Sequence, residues 1–100
     1  MLKEIMDNLI RERKKKHPED DYGIYECWDK MTEILSQNVD DTIQYLENCS
    51  EEDLYFISEI FEDISEKVKS EKYIICLRKL DKKFPNLNMT RDIDIAESYF

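Results

Sequence analysis

The stretch that decides the fold runs from Ser50 to Val68 and reads SEEDLYFISEIFEDISEKV. It opens with a serine and three acids, a pattern typical of a helix start because the serine caps free amides and the acids complement the helix dipole. Apolar residues then recur at intervals of three and four, which predicts a helix with one core-facing stripe. The stripe comprises Leu54, Ile57, Phe61, Ile64 and Val68.

Three further helices are predicted before Ser50. Residues 2–16 form an amphipathic helix whose basic end, Arg11 to Lys16, lies where the helix dipole favours positive charge. A second helix, ending at about residue 36, is expected to bury an apolar and aromatic stripe consisting of Tyr22, Tyr25, Trp28, Met31, Ile34 and Leu35. Asn38 then begins a capping pattern ahead of a short third helix.

Two more helices are predicted after Val68. Ser70 is expected to cap the first, which Pro85 ends because the residue before a proline avoids the helical conformation. Asn88 or Thr90 is expected to cap the last. We therefore predict an all-α fold, an irregular antiparallel bundle of five or six short helices, in a single helical domain over residues 1–100.

The residue inventory argues against catalysis. The single glycine cannot form a phosphate-binding loop, the only histidine, His17, lies beside a proline, and the three cysteines form no CxxC pair. The cysteines are expected to be reduced, semi-buried thiols. We therefore expect a protein that is not an enzyme, holds no metal and needs no cofactor.

The sequence also argues against two kinds of partner. No apolar run approaches the roughly 20 residues of a membrane span, and Glu4 and Asp7 do not fit a signal peptide, so we expect a cytoplasmic protein that does not bind membranes. Residues 17–100 carry 21 acidic and 9 basic residues, a net charge of −12, which repels nucleic acid. The basic run Arg11 to Lys16 is then a solvated helix end that pairs with the acids following it.

Charge is distributed unevenly between Met31 and Glu66, where eleven acids occur without one Lys, Arg or His. On a helical wheel with about 100° per residue, four of these acids lie opposite the apolar stripe, flanked by two aromatic residues. Aromatic side chains ringed by charge are typical of protein interfaces. The predicted partner-binding residues are Glu52, Tyr55, Phe56, Glu59, Asp63 and Glu66, with Asp40 and Asp41 as a second choice. The alternative is that another helix covers Phe56 and the acids are only solvated.

A family resemblance covers residues 50–100. The segments that carry it are Ser50-Glu51-Glu52-Asp53-Leu54, Phe61-Glu62-Asp63-Ile64, Lys83-Phe84-Pro85-Asn86 and Asp92-Ile93-x-x-Ala96. In these segments the chain resembles small acidic helical immunity proteins encoded beside bacterial polymorphic and contact-dependent growth-inhibition toxins. The resemblance implies a cytoplasmic bacterial protein without a cofactor that binds one toxin domain tightly.

Three functional hypotheses are consistent with the sequence. The leading one is a monomeric or weakly dimeric immunity protein that blocks a toxin, with a nuclease as the expected target because opposite charges would bring the two proteins together. The second is a small adaptor or regulatory module that docks through a helix groove, with its acids serving only solubility. The third is a nucleic-acid mimic that binds many basic proteins.

Overall fold

The computed structural model describes residues 2–99, so the two ends of the predicted domain, Met1 and Phe100, lie outside the described residues. Over that range the chain forms helices and no strand. The helices are α1 (Leu2–Lys15), α2 (Asp21–Leu35), α3 (Val39–Glu47), α4 (Glu51–Ile57), α5 (Phe61–Val68), α6 (Glu71–Lys83) and α7 (Thr90–Ser98), with 3-10 turns at Ser58–Ile60 and Pro85–Leu87. The first turn joins α4 and α5 into one kinked helix, so residues 2–99 form six helices. The predicted all-α bundle of five or six short helices is confirmed.

Three of the predicted helix caps are present. The side chains of Asn38, Ser50 and Ser70 each accept a hydrogen bond from the backbone N–H three residues later. Such caps satisfy amides that have no partner within the helix. The capping residues were therefore sufficient to predict where α3, α4 and α6 begin.

The start of α7 differs from the prediction. Asn88 takes a left-handed conformation with φ of 55°, and α7 begins at Thr90 without a side-chain cap. The Thr90 hydroxyl instead donates to Asp81 Oδ2 at 2.6 Å. The capping prediction was wrong here because the hydroxyl ties α7 to the end of α6.

The kinked helix made of α4, the 3-10 turn and α5, here called the central helix, carries the predicted stripe, and this stripe forms the core. Leu54, Ile57, Phe61 and Ile64 are completely buried, while Val68 at the helix end is only partly buried. Around this core α5 packs against α7 and α2, α1 packs against α2, and α6 lies between α3 and α7. The central helix is therefore the element around which the others assemble.

The central helix is not continuous. The Ser58 hydroxyl donates to the Tyr55 carbonyl at 2.6 Å, a local bond that competes with the helical pattern, and Ile60 has φ of −119° and ψ of 13°. A 3-10 turn advances about 120° per residue, so three such residues rotate the remainder of the helix by about 60° relative to a continuous α-helix. The turn therefore breaks the constant rotation per residue on which the predicted acidic face was based.

The buried face of α2 agrees with the predicted stripe at Met31 and Leu35, and Trp28 and Ile34 pack partly against the core. Tyr22 and Tyr25 are 80% and 56% exposed, so their assignment to the core was wrong. The fully or largely buried positions are Ile24, Cys27, Met31 and Leu35, which have a regular helical spacing. This phase turns the two tyrosines to solvent.

Candidate partner-binding surface

The eight predicted binding residues fall into three groups with different neighbours. One group lies against α1, one lines a cleft with α2, and one lies at the start of α3. The groups are, in that order, Glu52, Tyr55, Phe56 and Glu59; Asp63 and Glu66; and Asp40 and Asp41. The single acidic row expected from a straight helix was wrong because its members lie against different helices.

Glu59 is tied into the fold by three hydrogen bonds. Arg13 Nε and Nη2 donate to its two carboxylate oxygens at 2.9 and 2.8 Å, and Trp28 Nε1 donates to Oε1 at 3.0 Å. The side chains of Arg13 and Glu59 are only 15% and 26% exposed. Two parallel charged hydrogen bonds hold such a pair in one geometry. Glu59 thus links α1 and α2 to the turn after α4, and its place in a free acidic row was wrong.

Phe56 is covered by the same part of α1. Arg13 Cζ lies 5.3 Å and Lys14 Nζ lies 5.7 Å from the centre of its ring, and the ring packs partly against the core. Tyr55 meets Phe56 edge-on at 5.3 Å between ring centres and remains more than half exposed. The alternative that another helix covers the ring therefore holds for Phe56, whereas Tyr55 stays accessible to a partner.

The basic run of α1 pairs across the fold. Lys14 forms an ion pair with Glu52 and lies 3.6 Å from Asp53, and Arg13 pairs with Glu59. The prediction that these bases pair with the acids following them in sequence was wrong. Acids of α4 and its 3-10 turn are the partners instead, which partly neutralises the N-terminal half of the acidic stretch, here defined as Glu51 to Glu66.

The other half of the stretch contributes to a cleft between α2 and α5, here called the acidic cleft. Asp29 and Glu33 from α2 and Asp63 and Glu66 from α5 line it, and its volume is about 780 Å³. None of these four carboxylates forms an ion pair with a basic side chain of residues 2–99. The Lys67 side chain also borders the cleft. Four carboxylates against one lysine leave the cleft strongly negative.

The charges in the acidic cleft act on one another. Partial burial, and then the negative charges of Glu66 and Asp29, raise the pKa of the Asp63 carboxyl, while Lys67 acts in the opposite direction. A positive group placed among these carboxylates would relieve their repulsion. The acidic cleft is therefore suited to receiving a Lys or Arg side chain from a partner.

The predicted binding residues did not include four residues of α2 that the structure exposes. They are the aromatic residues Tyr22 and Tyr25 and the acids Asp29 and Glu33. Tyr25, Asp29 and Glu33 recur at intervals of four on α2, so they share a helix face. Tyr25 also lies 5.3 Å from the Trp28 ring. The spacing was visible in the sequence, but the assignment of Tyr22 and Tyr25 to the core concealed it.

Asp40 and Asp41 point to different neighbours. Asp40 Oδ1 lies 3.8 Å from Lys72 Nζ of α6, while Asp41 lines a second cleft bordered by α1 and α4. Both side chains are exposed. The structure therefore does not bring this pair together with the acidic cleft.

The side chains of residues 2–99 include no group of three or more His, Cys, Asp or Glu placed to hold a metal ion. No helix within the same range is both long and apolar enough to cross a membrane. Comparison with known proteins found no matching family model, no similar curated protein and no similar solved structure.

Proposed function

We propose that this protein is an immunity protein that binds a cognate bacterial toxin domain in the cytoplasm and neutralises it without catalysis. The observation that carries the proposal is the acidic cleft, where Asp29, Glu33, Asp63 and Glu66 have no basic partner within the described chain. The resemblance of residues 50–100 to immunity proteins supports the same function. A nuclease is the expected toxin because it needs a basic surface to hold nucleic acid.

Two kinds of contact would contribute to such a complex. The chain carries a net charge of −9, so its field attracts a basic partner and speeds association, most strongly where the carboxylates are concentrated. Tyr25 and Tyr55 are exposed aromatic residues on α2 and α4. Tyrosines in such positions slow dissociation because they bury a large rigid ring at little cost in entropy.

The Arg13–Glu59–Trp28 cluster would keep the two exposed tyrosines in place for binding. Tyr25 packs beside Trp28, and Tyr55 packs beside the Phe56 ring under Arg13. The cluster thus holds the two helices that carry the exposed tyrosines in a fixed relation. A surface held rigid before binding loses less entropy in the complex.

The test measures association with the protein encoded directly upstream, which is the expected position of the toxin gene. The double variant Asp63→Lys, Glu66→Lys is compared with Glu47→Lys, Glu71→Lys, which changes the net charge equally at exposed sites outside the acidic cleft. At low salt we expect the cleft variant to associate about tenfold more slowly or worse, and the control by less than about threefold. Association as fast as wild type, or equal slowing in both variants, would contradict the acidic cleft as the binding site.

Dissociation tests the aromatic contacts separately. Tyr25→Ala and Tyr55→Ala should raise the dissociation rate with little effect on the salt dependence of association, because an anchor acts after the encounter. Tyr99→Ala serves as a control, since Tyr99 is also exposed but lies at the end of the chain beyond α7. Equal effects of all three substitutions would remove Tyr25 and Tyr55 as specific anchors.

The other two hypotheses predict different outcomes of the same kinetics. A small adaptor or regulatory module would bind independently of salt and would tolerate the cleft reversal. A nucleic-acid mimic would bind unrelated basic proteins as tightly as the upstream product. A specific immunity protein should discriminate between its cognate toxin and close variants.

A further inference from the structure

A second cleft lies on a different part of the molecule, between the start of α1, one face of α3 and the start of α4. Its volume is about 560 Å³, which is within the range of about 300–1,000 Å³ typical of small-molecule sites. None of its lining residues borders the acidic cleft. We call it the α3 cleft.

The phenol oxygen of Tyr45 is an unusual feature of the α3 cleft. It is buried, and no oxygen or nitrogen atom of residues 2–99 accepts or donates a hydrogen bond to it. The Cys49 thiol lies beside it but is only a weak hydrogen-bond partner. A buried hydroxyl without a strong partner is destabilising. The Tyr45 hydroxyl has almost no exposed surface, so a ligand contacts it only if the ring turns slightly toward the cleft, and the gain of a hydrogen-bond partner favours that movement.

The charges around the α3 cleft favour a cation. Three aspartates line it, together with the single base Lys3. Lys3 Nζ pairs with Asp7 Oδ2 at 2.8 Å, and Asp53 lies 3.6 Å from Lys14. Asp41 forms no ion pair with a basic side chain of residues 2–99. Asp41 is thus the carboxylate most available to an incoming positive charge.

The remaining lining is apolar or neutral. Burial raises the pKa of the Cys49 thiol to about 11, so the thiol is protonated at neutral pH and behaves as a small apolar surface, not as a nucleophile. Leu2 adds a further apolar contact. Asp41 and Tyr45 lie four residues apart on one face of α3, which places a carboxylate and a hydroxyl at successive turns.

We propose that the α3 cleft binds a small organic cation, a primary ammonium or guanidinium carried on a short apolar chain. The cationic head pairs with Asp41 and donates a hydrogen bond to the Tyr45 hydroxyl, and the chain packs against Leu2 and Cys49. This inference does not depend on the proposed function, because the cleft uses other residues than the proposed toxin-binding surface.

The test uses four probes of similar size and monitors amide chemical shifts in NMR spectra. The cations n-butylammonium and n-propylguanidinium should give saturable shifts confined to residues around the α3 cleft, with millimolar dissociation constants. The neutral n-butanol and the anion butyrate should bind at least about tenfold more weakly. No saturable shift with either cation would overturn the proposal, and equal binding of n-butanol would reduce the site to a nonspecific apolar cleft.

Matched variants then test the two named contacts. Asp41→Asn should weaken binding of the cations about threefold to fivefold, as expected for an exposed charge, whereas the neighbouring Asp40→Asn should not, because Asp40 faces Lys72. Tyr45→Phe should weaken it about threefold to tenfold through loss of one hydrogen bond. Equal weakening by Asp40→Asn and Asp41→Asn would overturn the contact with Asp41. Unchanged binding by Tyr45→Phe would overturn the contact with the Tyr45 hydroxyl.

Discussion

The two halves of the acidic stretch around the 3-10 turn have similar compositions and different surroundings. On the α4 side, Glu59 is held by Arg13 and Trp28, and Glu52 is paired with Lys14. On the α5 side, Asp63 and Glu66 face Asp29 and Glu33 and form no ion pair with the described residues. The same residue types therefore stabilise the fold in one half and repel one another in the other.

The difference arises from the position of the basic run of α1. Its end pairs with acids of α4 and the turn after it, and none of its ion pairs within residues 2–99 involves an acid of α5. Acids that repel one another without a neighbouring positive charge lower the stability of the fold. Such a cluster is a candidate functional site, because a bound partner would relieve the repulsion. The contrast predicts that substitutions in the two halves have effects of different size and sign.

The largest expected effect concerns Phe61, which lies where the two halves meet. Phe61→Ala should lower the free energy of unfolding by about 3–5 kcal/mol because the side chain is fully buried. Phe56→Ala is the matched control, and roughly half that loss is expected because the Phe56 ring is only partly buried. Urea denaturation monitored by circular dichroism measures both. Equal losses would show that the core does not centre on Phe61.

The next effect tests the cluster on the α4 side. Trp28→Phe removes the indole N–H that donates to Glu59 and should cost about 1.5–3 kcal/mol, since hydrogen bonds to charged groups are strong. Tyr25→Phe, on the exposed side of the same helix, should change stability by less than about 0.5 kcal/mol. Circular dichroism must report unfolding because Trp28 is the only tryptophan. A cost below about 0.5 kcal/mol for Trp28→Phe would remove the cluster as a stabilising feature.

A smaller effect is expected at Glu52. Its carboxylate is largely exposed although it pairs with Lys14, and exposed ion pairs contribute little. Glu52→Gln should therefore change the free energy of unfolding by less than about 1 kcal/mol, and the change should diminish in high salt. A loss as large as that of Trp28→Phe would mean that the whole α4 side acts as one buried network.

The smallest effect is the pH dependence due to Asp63. Its pKa is raised in the folded chain, so the folded state holds this proton more strongly than the unfolded state, in which the carboxyl has its ordinary pKa of about 3.9. The contribution of Asp63 to stability is thus fully present below the unfolded pKa and is lost as the pH rises through the raised value. Asp63→Asn should be more stable than wild type at pH 7, with a difference that disappears in acid. Thermal melts across this pH range measure the difference. In an Asp29→Asn background, Asp63→Asn should raise stability by less than it does in the wild type, because one of the repelling charges is already absent.

The sequence was informative wherever the determining interaction was local. Caps at Asn38, Ser50 and Ser70 act within one helical turn, and the buried spacing of Leu54, Ile57, Phe61 and Ile64 is a property of one segment. These signals were enough to predict the helices, their order and the centre of the core.

The candidate site depended on interactions that the sequence does not display. The bond from Arg13 to Glu59 joins residues 46 apart, and a helical wheel contains no information on such a partner. The bond from Ser58 to the Tyr55 carbonyl introduces a kink that a wheel with constant rotation cannot represent. The assignment of Tyr22 and Tyr25 to the buried stripe of α2 then concealed Tyr25 and Asp29 as surface residues.

The central claim is that Glu59 stabilises the fold whereas Asp63 is kept charged at the expense of stability. Parallel urea denaturation of Glu59→Gln and Asp63→Asn at pH 7 tests it most directly, because each substitution removes one charge and keeps the side-chain shape. Glu59→Gln should lower the free energy of unfolding by about 1.5–3 kcal/mol, and Asp63→Asn should leave it unchanged or raise it. Equal losses in the two variants, or a larger loss for Asp63→Asn, would contradict the claim.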